Sequence, residues 1–220
     1  MNAISFRSAT SGDLDDLIRL EKAVERTLPS RDIFATDEKS FYAPIVRGAG
    51  HILLAFDAER RLAGASVIRY PSPEDPENLG RSVSLPAERL LAVRHLESVF
   101  VRPDMQGKRL AERLVRENMR LTAGSGRTIS MATVWPGNAA SLKLHLRLGL
   151  FIRAFAFKYG GKPRFILMNE GRPDNEATPI LVDAMDMERH RALLNSSMLG
   201  VSVHPAAKTF LIEYRPLLPA

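Results

Sequence analysis

The run Val101-Arg102-Pro103-Asp104-Met105-Gln106-Gly107-Lys108-Arg109-Leu110-Ala111 joins a strand-like stretch, HLESVFV, to a segment in which Leu110, Ala111, Leu114, Val115, Asn118 and Leu121 share one helical face. A strand that feeds through a tight polar turn into a helix aims several backbone N–H groups at one point, where the helix dipole also favours negative charge. Such a turn can cradle an anion. Lys108, Arg109, Arg113 and Arg116 add cationic side chains, enough for a ligand carrying several phosphates. The alternative is a surface loop ahead of a basic, solvated helix.

Charge distribution favours the cradle. The chain of 220 residues has a net charge of +6, but residues 91–168 carry 14 Lys and Arg against 4 Asp and Glu, while the remainder carries 17 against 21. Basicity confined to one segment fits a defined anionic ligand, phosphates first, better than general affinity for polyanions. A nucleic-acid interface is disfavoured, because one Trp and four Tyr supply no aromatic platform among the basic residues. With no Cys there is no disulfide framework, no thiolate metal site and no cysteine nucleophile. The N-terminal sequence has neither a basic nor an apolar leader region, and no stretch approaches 18 uninterrupted apolar residues, so a cytoplasmic protein without a membrane segment is expected.

The elements that must position the turn can be read in order. Ile4 to Arg7 reads as a strand, and Thr10 and Ser11 before Asp13 and Asp16 as a helix start. Leu14, Leu17, Ile18, Glu21 and Val24 follow at helical spacing. Thr36, Asp37 and Glu38 signal a second helix through Phe41 and Ile45, stopping at Gly48. His51 to Asp57 and Ala63 to Tyr70 read as an antiparallel hairpin. Residues 71–92 are broken by Pro71, Pro73, Pro76, Gly80 and Pro86 and read as an insertion or long loop, with a short helix after Pro86. After the basic helix, Thr128 to Trp135 reads as a strand, Asn138 to Leu148 as a helix, Leu150 to Tyr159 and Arg164 to Met168 as strands. Residues 170–220 add a polar link, a helix around Met185 to Asn195 and a strand-like run from Lys208 to Tyr214. The expectation is an α/β layered domain over 1–169, with 170–220 packed on it because about 50 residues without Cys or metal bury too little to stand alone.

From Val101 to Ala111 the sequence resembles the GNAT superfamily of acyl-CoA-dependent N-acetyltransferases, whose signature is a strand ending V-x-P followed by [R/Q]-x-x-G-x-[G/A] at a helix start. Arg109 stands where the family has glycine, and a helical backbone with its side chain pointing away is expected to preserve binding. A second likeness is the family's N-x-x-[A/S] helix, matched by Asn138, Ser141, Leu144, His145, Gly149 and Leu150. Asn138, Ser141 and His145, at i, i+3 and i+7, lie along one helix face; Asn138 also reads as a plain N-cap with Ser141 as its partner. The resemblance spans residues 3–169 and is strongest over 95–151. It implies a GNAT-like mixed central sheet flanked by helices, with the C-terminal helix and strand as an extension.

It also implies acetyl-CoA as acyl donor and no metal. The pantetheine arm would be held by backbone groups of Val99, Phe100 and Val101, and the pyrophosphate by Gln106, Gly107, Lys108, Arg109, Leu110 and Ala111, with Asn138 and Ser141 also counted among the cofactor-binding residues. Glu97 stands where the family often has a base, and His145 where it often has a tyrosine that protonates the leaving thiolate. The bland readings are a Glu97 paired with an arginine and a His145 that only packs. His95, on the same strand, is a second candidate base. The implied function is transfer of an acetyl group to an amine, either a small molecule or a peptide N-terminus. A longer-chain acyltransferase and a non-catalytic acyl-CoA sensor remain alternatives, and a homodimer is left open.

Overall fold

The computed structural model describes residues 4–28 and 37–219. Thr36 of the second expected helix cap lies outside them. The chain divides into two compact units, one of residues 1–75 and 91–128, the other of 76–90 and 129–220. Among the described residues no helix is long and apolar enough to cross a membrane.

The first unit is a four-stranded antiparallel sheet in the order β1 (Ser5–Ser8), β2 (Gly50–Phe56), β3 (Leu62–Arg69), β4 (Val93–Val101). Alternation along the strands sends Ile52, Leu54, Ala65, Val67 and Phe100 to one face, and Leu53, Ala55, Ala63 and Val101 to the other. The first face is covered by α1 (Leu14–Glu25) and α2 (Lys39–Pro44), through Leu14, Leu17, Leu20, Val24 and Tyr42. The second is covered by α3 (Leu110–Leu121), through Leu110 and Leu114. Thr10 and Asp13 form the capping box ahead of α1, with the Thr10 amide donating to Asp13 Oδ2 at 2.7 Å.

Two polar features interrupt these apolar faces. Asn118, fully buried on α3, donates through Nδ2 to the Ser66 carbonyl at 2.8 Å and pairs through Oδ1 with His51 Nδ1 at 2.7 Å, tying the helix to the sheet. Glu21, on the buried side of α1, is wholly inaccessible. The β3–β4 register shifts where Val67 faces Ser98 but Ile68 faces Leu96, so Glu97 is the extra residue of a β-bulge.

In the second unit the strand order is β5 (Ile129–Val134), β7 (Lys162–Met168), β6 (Phe151–Lys158), β9 (Met198–Pro205), β10 (Phe210–Pro216), β8 (Ile180–Asp183), every paired neighbour antiparallel. Its helices are α4 (Ala139–Arg147) and α5 (Met187–Asn195). Strands β6 and β9 meet at Ile152 and Gly200, where a Cβ on Gly200 would stand 2.8 Å from Ile152, so only glycine lets them close. The His190 ring on α5 lies edge-on to Phe165, and Tyr214 Oη pairs with its Nδ1 at 2.9 Å, so the C-terminal elements share one core with β7. Strands β8 and β9 had no counterpart in the sequence reading, which saw only the last strand. Residues 76–90 are a packed pair of 3-10 turns, one of them following Pro86, with Leu79, Asn78 and Leu90 buried and Asn78 Nδ2 donating to the Leu90 carbonyl at 3.2 Å.

Candidate functional site

Strand β4 ends at Val101, and a short 3-10 turn, Pro103–Met105, leads to Gln106. The Gln106 side chain closes the turn on its own strand, Nε2 donating to the Val101 carbonyl at 3.0 Å. Gly107 takes φ +74°, and a Cβ built on it meets no atom within 4 Å, so the backbone there is both left-handed and open. The first bond that α3 makes is from the Arg113 amide to the Arg109 carbonyl at 3.1 Å, which leaves the amides of Leu110 and Ala111 ahead of the intrahelical ladder. Lys108 and Arg109 are exposed beside them. A concave backbone of alternating hand before a helix N-terminus is the geometry that binds phosphate oxygens.

Arg109 corrects the sequence expectation. It is not helical but the N-cap of α3, with φ 56° and ψ 22°. A left-handed arginine costs roughly 1–2 kcal/mol, which explains in physical terms why glycine suits this position. The side chains of Phe100, Val101 and Leu110 are core, and Val99 packs against it, so only their backbone can serve a ligand. Ala111 is likewise packed on the α3 side of the core.

Glu97 sits in a charged cluster. Its Oε2 accepts from Arg69 Nε at 3.1 Å, and Arg69 also donates to Asp75 Oδ2 at 2.6 Å and to His95 Nδ1 at 3.0 Å. His95 Nδ1 is 3.4 Å from Glu97 Oε2; since Nδ1 accepts from Arg69, that approach is not a second hydrogen bond while the ring is neutral. Burial pushes Glu97 up, but His95 and Arg69 outweigh it and hold the carboxylate below its ordinary value. Burial lowers His95, with Glu97 opposing. The strand therefore presents an ionised Glu97. The pairing with an arginine, one of the two readings offered for Glu97, is what the geometry contains, and it leaves Oε1 without a role in that pairing.

Behind this group lie residues the sequence reading did not assign to a site. Tyr42 Oη donates to Glu21 Oε1 at 2.7 Å, and the Asp37 amide reaches the same oxygen at 3.3 Å. Burial raises Glu21 to about 7 and Asp37 to about 6, with Glu97 adding to the rise at Asp37 and Arg69 restraining it. One signal for them was present: Glu21 occupies an apolar position in the helical repeat of α1. Arg69 could be found only from the strand register, which sets it opposite His95.

In the second unit, Asn138 caps α4, its side chain accepting from the Ser141 amide at 3.0 Å. Ser141 and His145 are brought together on the same face: His145 Nδ1 lies 2.8 Å from the Ser141 carbonyl and 3.3 Å from its Oγ. A carbonyl only accepts, so Nδ1 carries the proton and Nε2 has the lone pair in the neutral ring. His145 is 5% exposed, and burial lowers its pKa. A buried neutral ring of this tautomer cannot give a proton from Nε2, so the proton-donor role expected of His145 does not fit its geometry.

Residues 24–150 match the model of the acetyltransferase (GNAT) family. Solved structures similar to the chain include yncA of Salmonella typhimurium, with its cofactor acetyl-CoA (18% identity, 80% of this chain and 99% of that one, TM-score 0.56). Another is an acetyltransferase of the GNAT family from Streptococcus pneumoniae (16%, 76% and 98%, TM-score 0.57). A third is the PaiA N-acetyltransferase of Thermoplasma acidophilum in complex with coenzyme A (16%, 76% and 99%, TM-score 0.53). No curated protein matches the chain by sequence.

Proposed function

The chain belongs to the GNAT acetyltransferase family, with its mixed α/β fold and its acyl transfer from acetyl-CoA, and we propose that it moves an acetyl group to an amine nitrogen. The observation that carries this reading is the Gln106–Ala111 turn, with its open left-handed backbone, its helix N-terminus and its exposed cations. The Leu110 and Ala111 amides would meet the pyrophosphate, and Lys108 and Arg109 would add charge-assisted contacts. Acetyl-CoA, when bound, supplies a thioester carbonyl open to attack by an amine. Backbone groups of Val99–Val101 would hold the pantetheine arm alongside β4.

An amine must shed a proton before or during attack, and Glu97 is the residue proposed to take it, directly or through water. Arg69 and His95 keep that carboxylate ionised, so it is ready to accept at neutral pH but is a weak base. Asn138 and Ser141 form the capped start of α4, His145 bonds back to Ser141 from its last turn, and the departing sulfur draws its proton from water rather than from His145.

The test is calorimetric titration with acetyl-CoA, followed by a panel of amines with release of free CoA thiol as readout. Binding followed by amine-dependent thiol release is expected. Binding without thiol release from any amine would replace the enzyme by an acyl-CoA sensor, and preference for a long-chain acyl-CoA would replace acetyl transfer.

A further inference from the structure

Around Glu97 the first unit gathers more negative charge than its described cations balance. Glu97 and Asp75 share Arg69. Glu21 and Asp37 have no ion pair among the described residues; Arg69 acts on Asp37 only through its field, and Glu25 adds repulsion at Glu21. Glu21 is the sharper clue: it is wholly buried, Oε1 takes both the Tyr42 and the Asp37 donors, and Oε2 has no hydrogen-bond partner among the described residues. Protonation does not resolve this, because an O–H at Oε2 would be a donor without an acceptor. A buried oxygen left in this state is costly, and a leucine would fill the same helical position without that cost. Asp37 is half-buried and Glu97 keeps 18% of its side chain exposed, so both carboxylates reach solvent while Glu21 does not. Among the described residues no three carboxylate or imidazole groups converge as metal ligands do, and the spread of charge suits an organic cation.

We propose that the acceptor is an aliphatic amine bearing a second cationic nitrogen, and that Asp37, backed by Glu21, receives that nitrogen while Glu97 faces the one to be acetylated. The proposal rests on the N-acetyltransferase reading above. An acceptor with a carboxylate beside its amine would meet the negative charge of Asp37, Glu97 and Asp75, opposed among the described residues by an Arg69 that already binds three partners. Among the described residues, the titratable and charged groups that act on one another here are Glu21 and Glu25 from α1, Tyr42 from α2, Arg69 from β3, His95 and Glu97 from β4, and Asp37 and Asp75 from the loops. With Glu21 at about 7 and Asp37 at about 6, the cluster holds protons at pH 6.5 that an arriving ammonium would displace.

The experiment compares α,ω-diamines from propane to pentane with the matching amino alcohols and ω-amino acids, using kcat/KM from thiol release. The best diamine is expected to exceed its amino alcohol by about tenfold or more, the amino acids to react least, and Asp37→Asn to shrink the diamine preference to about threefold or less. In parallel, the same diamine is titrated into the protein without acetyl-CoA at pH 6.5, in two buffers of different ionisation enthalpy. Proton release is expected, reduced in Asp37→Asn and in Glu21→Gln. Thiol release with no preference for diamines, or a preference unchanged in Asp37→Asn, overturns the proposal and leaves acyl transfer standing. Diamine binding with proton release but no thiol release keeps the cation site and overturns the acyltransfer reading instead.

Discussion

The cluster around Glu97 sits on β4 and the turn at Gln106–Ala111 follows its end, yet they are built from opposite materials. The turn is backbone: its amides, its left-handed Gly107 and the start of α3 would do their work under many side chains. The cluster is almost all side chain, drawn from α1, α2, β3, β4 and two loops, and each carboxylate takes its state from burial and from its neighbours. A site made of backbone tolerates substitution and fails when the main chain is constrained. A site made of coupled charges keeps its shape and changes its chemistry when one charge is removed.

The largest effect that follows is chemical. Glu97→Gln keeps the shape of the side chain but removes the proposed base, and kcat from thiol release is expected to fall by roughly 10²–10⁴ with acetyl-CoA affinity retained. A loss of affinity matching the loss of rate would place Glu97 in donor binding and erase the contrast between the two regions.

Next comes the ion pair. Arg69→Met strands Glu97 and Asp75, and chemical denaturation is expected to show a loss of about 2–3 kcal/mol. In the same variant the acidic limb of the rate profile should move to higher pH, since Arg69 is one of the groups holding Glu97 below its ordinary value.

Glu21 gives a prediction with the opposite sign. Its carboxyl is raised from 4.5 to about 7 in the fold, so the native state binds more protons than the unfolded chain between those values, and stability falls as pH rises through that window. Glu21→Gln removes this cost. Thermal melts should show the variant and wild type alike near pH 4.5 and the variant more stable, by about 2 kcal/mol, above pH 7. Equal gaps at both pH values would mean that Glu21 is not the group responsible.

The smallest effect lies in the turn. Arg109→Gly relieves a left-handed side chain and should raise stability by about 1 kcal/mol, or about 2–4 °C in Tm for a chain of this size. It should also weaken acetyl-CoA binding by the loss of one exposed charge. A drop in Tm would show that the arginine side chain stabilises the turn in a way its backbone does not reveal.

The same contrast explains what could be read in advance. The β4–turn–α3 unit was legible because period, polar turn and basic helix are contiguous in sequence, and the first hairpin because its strands flank a short polar link. The hand of Arg109 was not, since a left-handed N-cap and a helical first residue look alike in a string of letters. In the cluster, Glu97 and His95 could be singled out along one strand, but the bulge that aims them depends on register with β3, and Arg69, Asp37 and Tyr42 arrive from distant segments. Glu21 was visible as an acid on an apolar helical face, without its partners. Ile180–Asp183 is only four residues long, and Met198–Pro205, though eight, is buried only over its first three; both pair chiefly with β10, so little apolar alternation marks them.

The central claim, that a backbone cradle on β4 and α3 binds the acyl donor, is tested most directly by titrating acetyl-CoA calorimetrically into wild type and Gly107→Pro. Proline cannot adopt φ +74° and lacks the amide, so a variant that remains folded by circular dichroism should lose binding that wild type shows clearly. Equal affinity in the two proteins would contradict the account and move the donor site away from this turn.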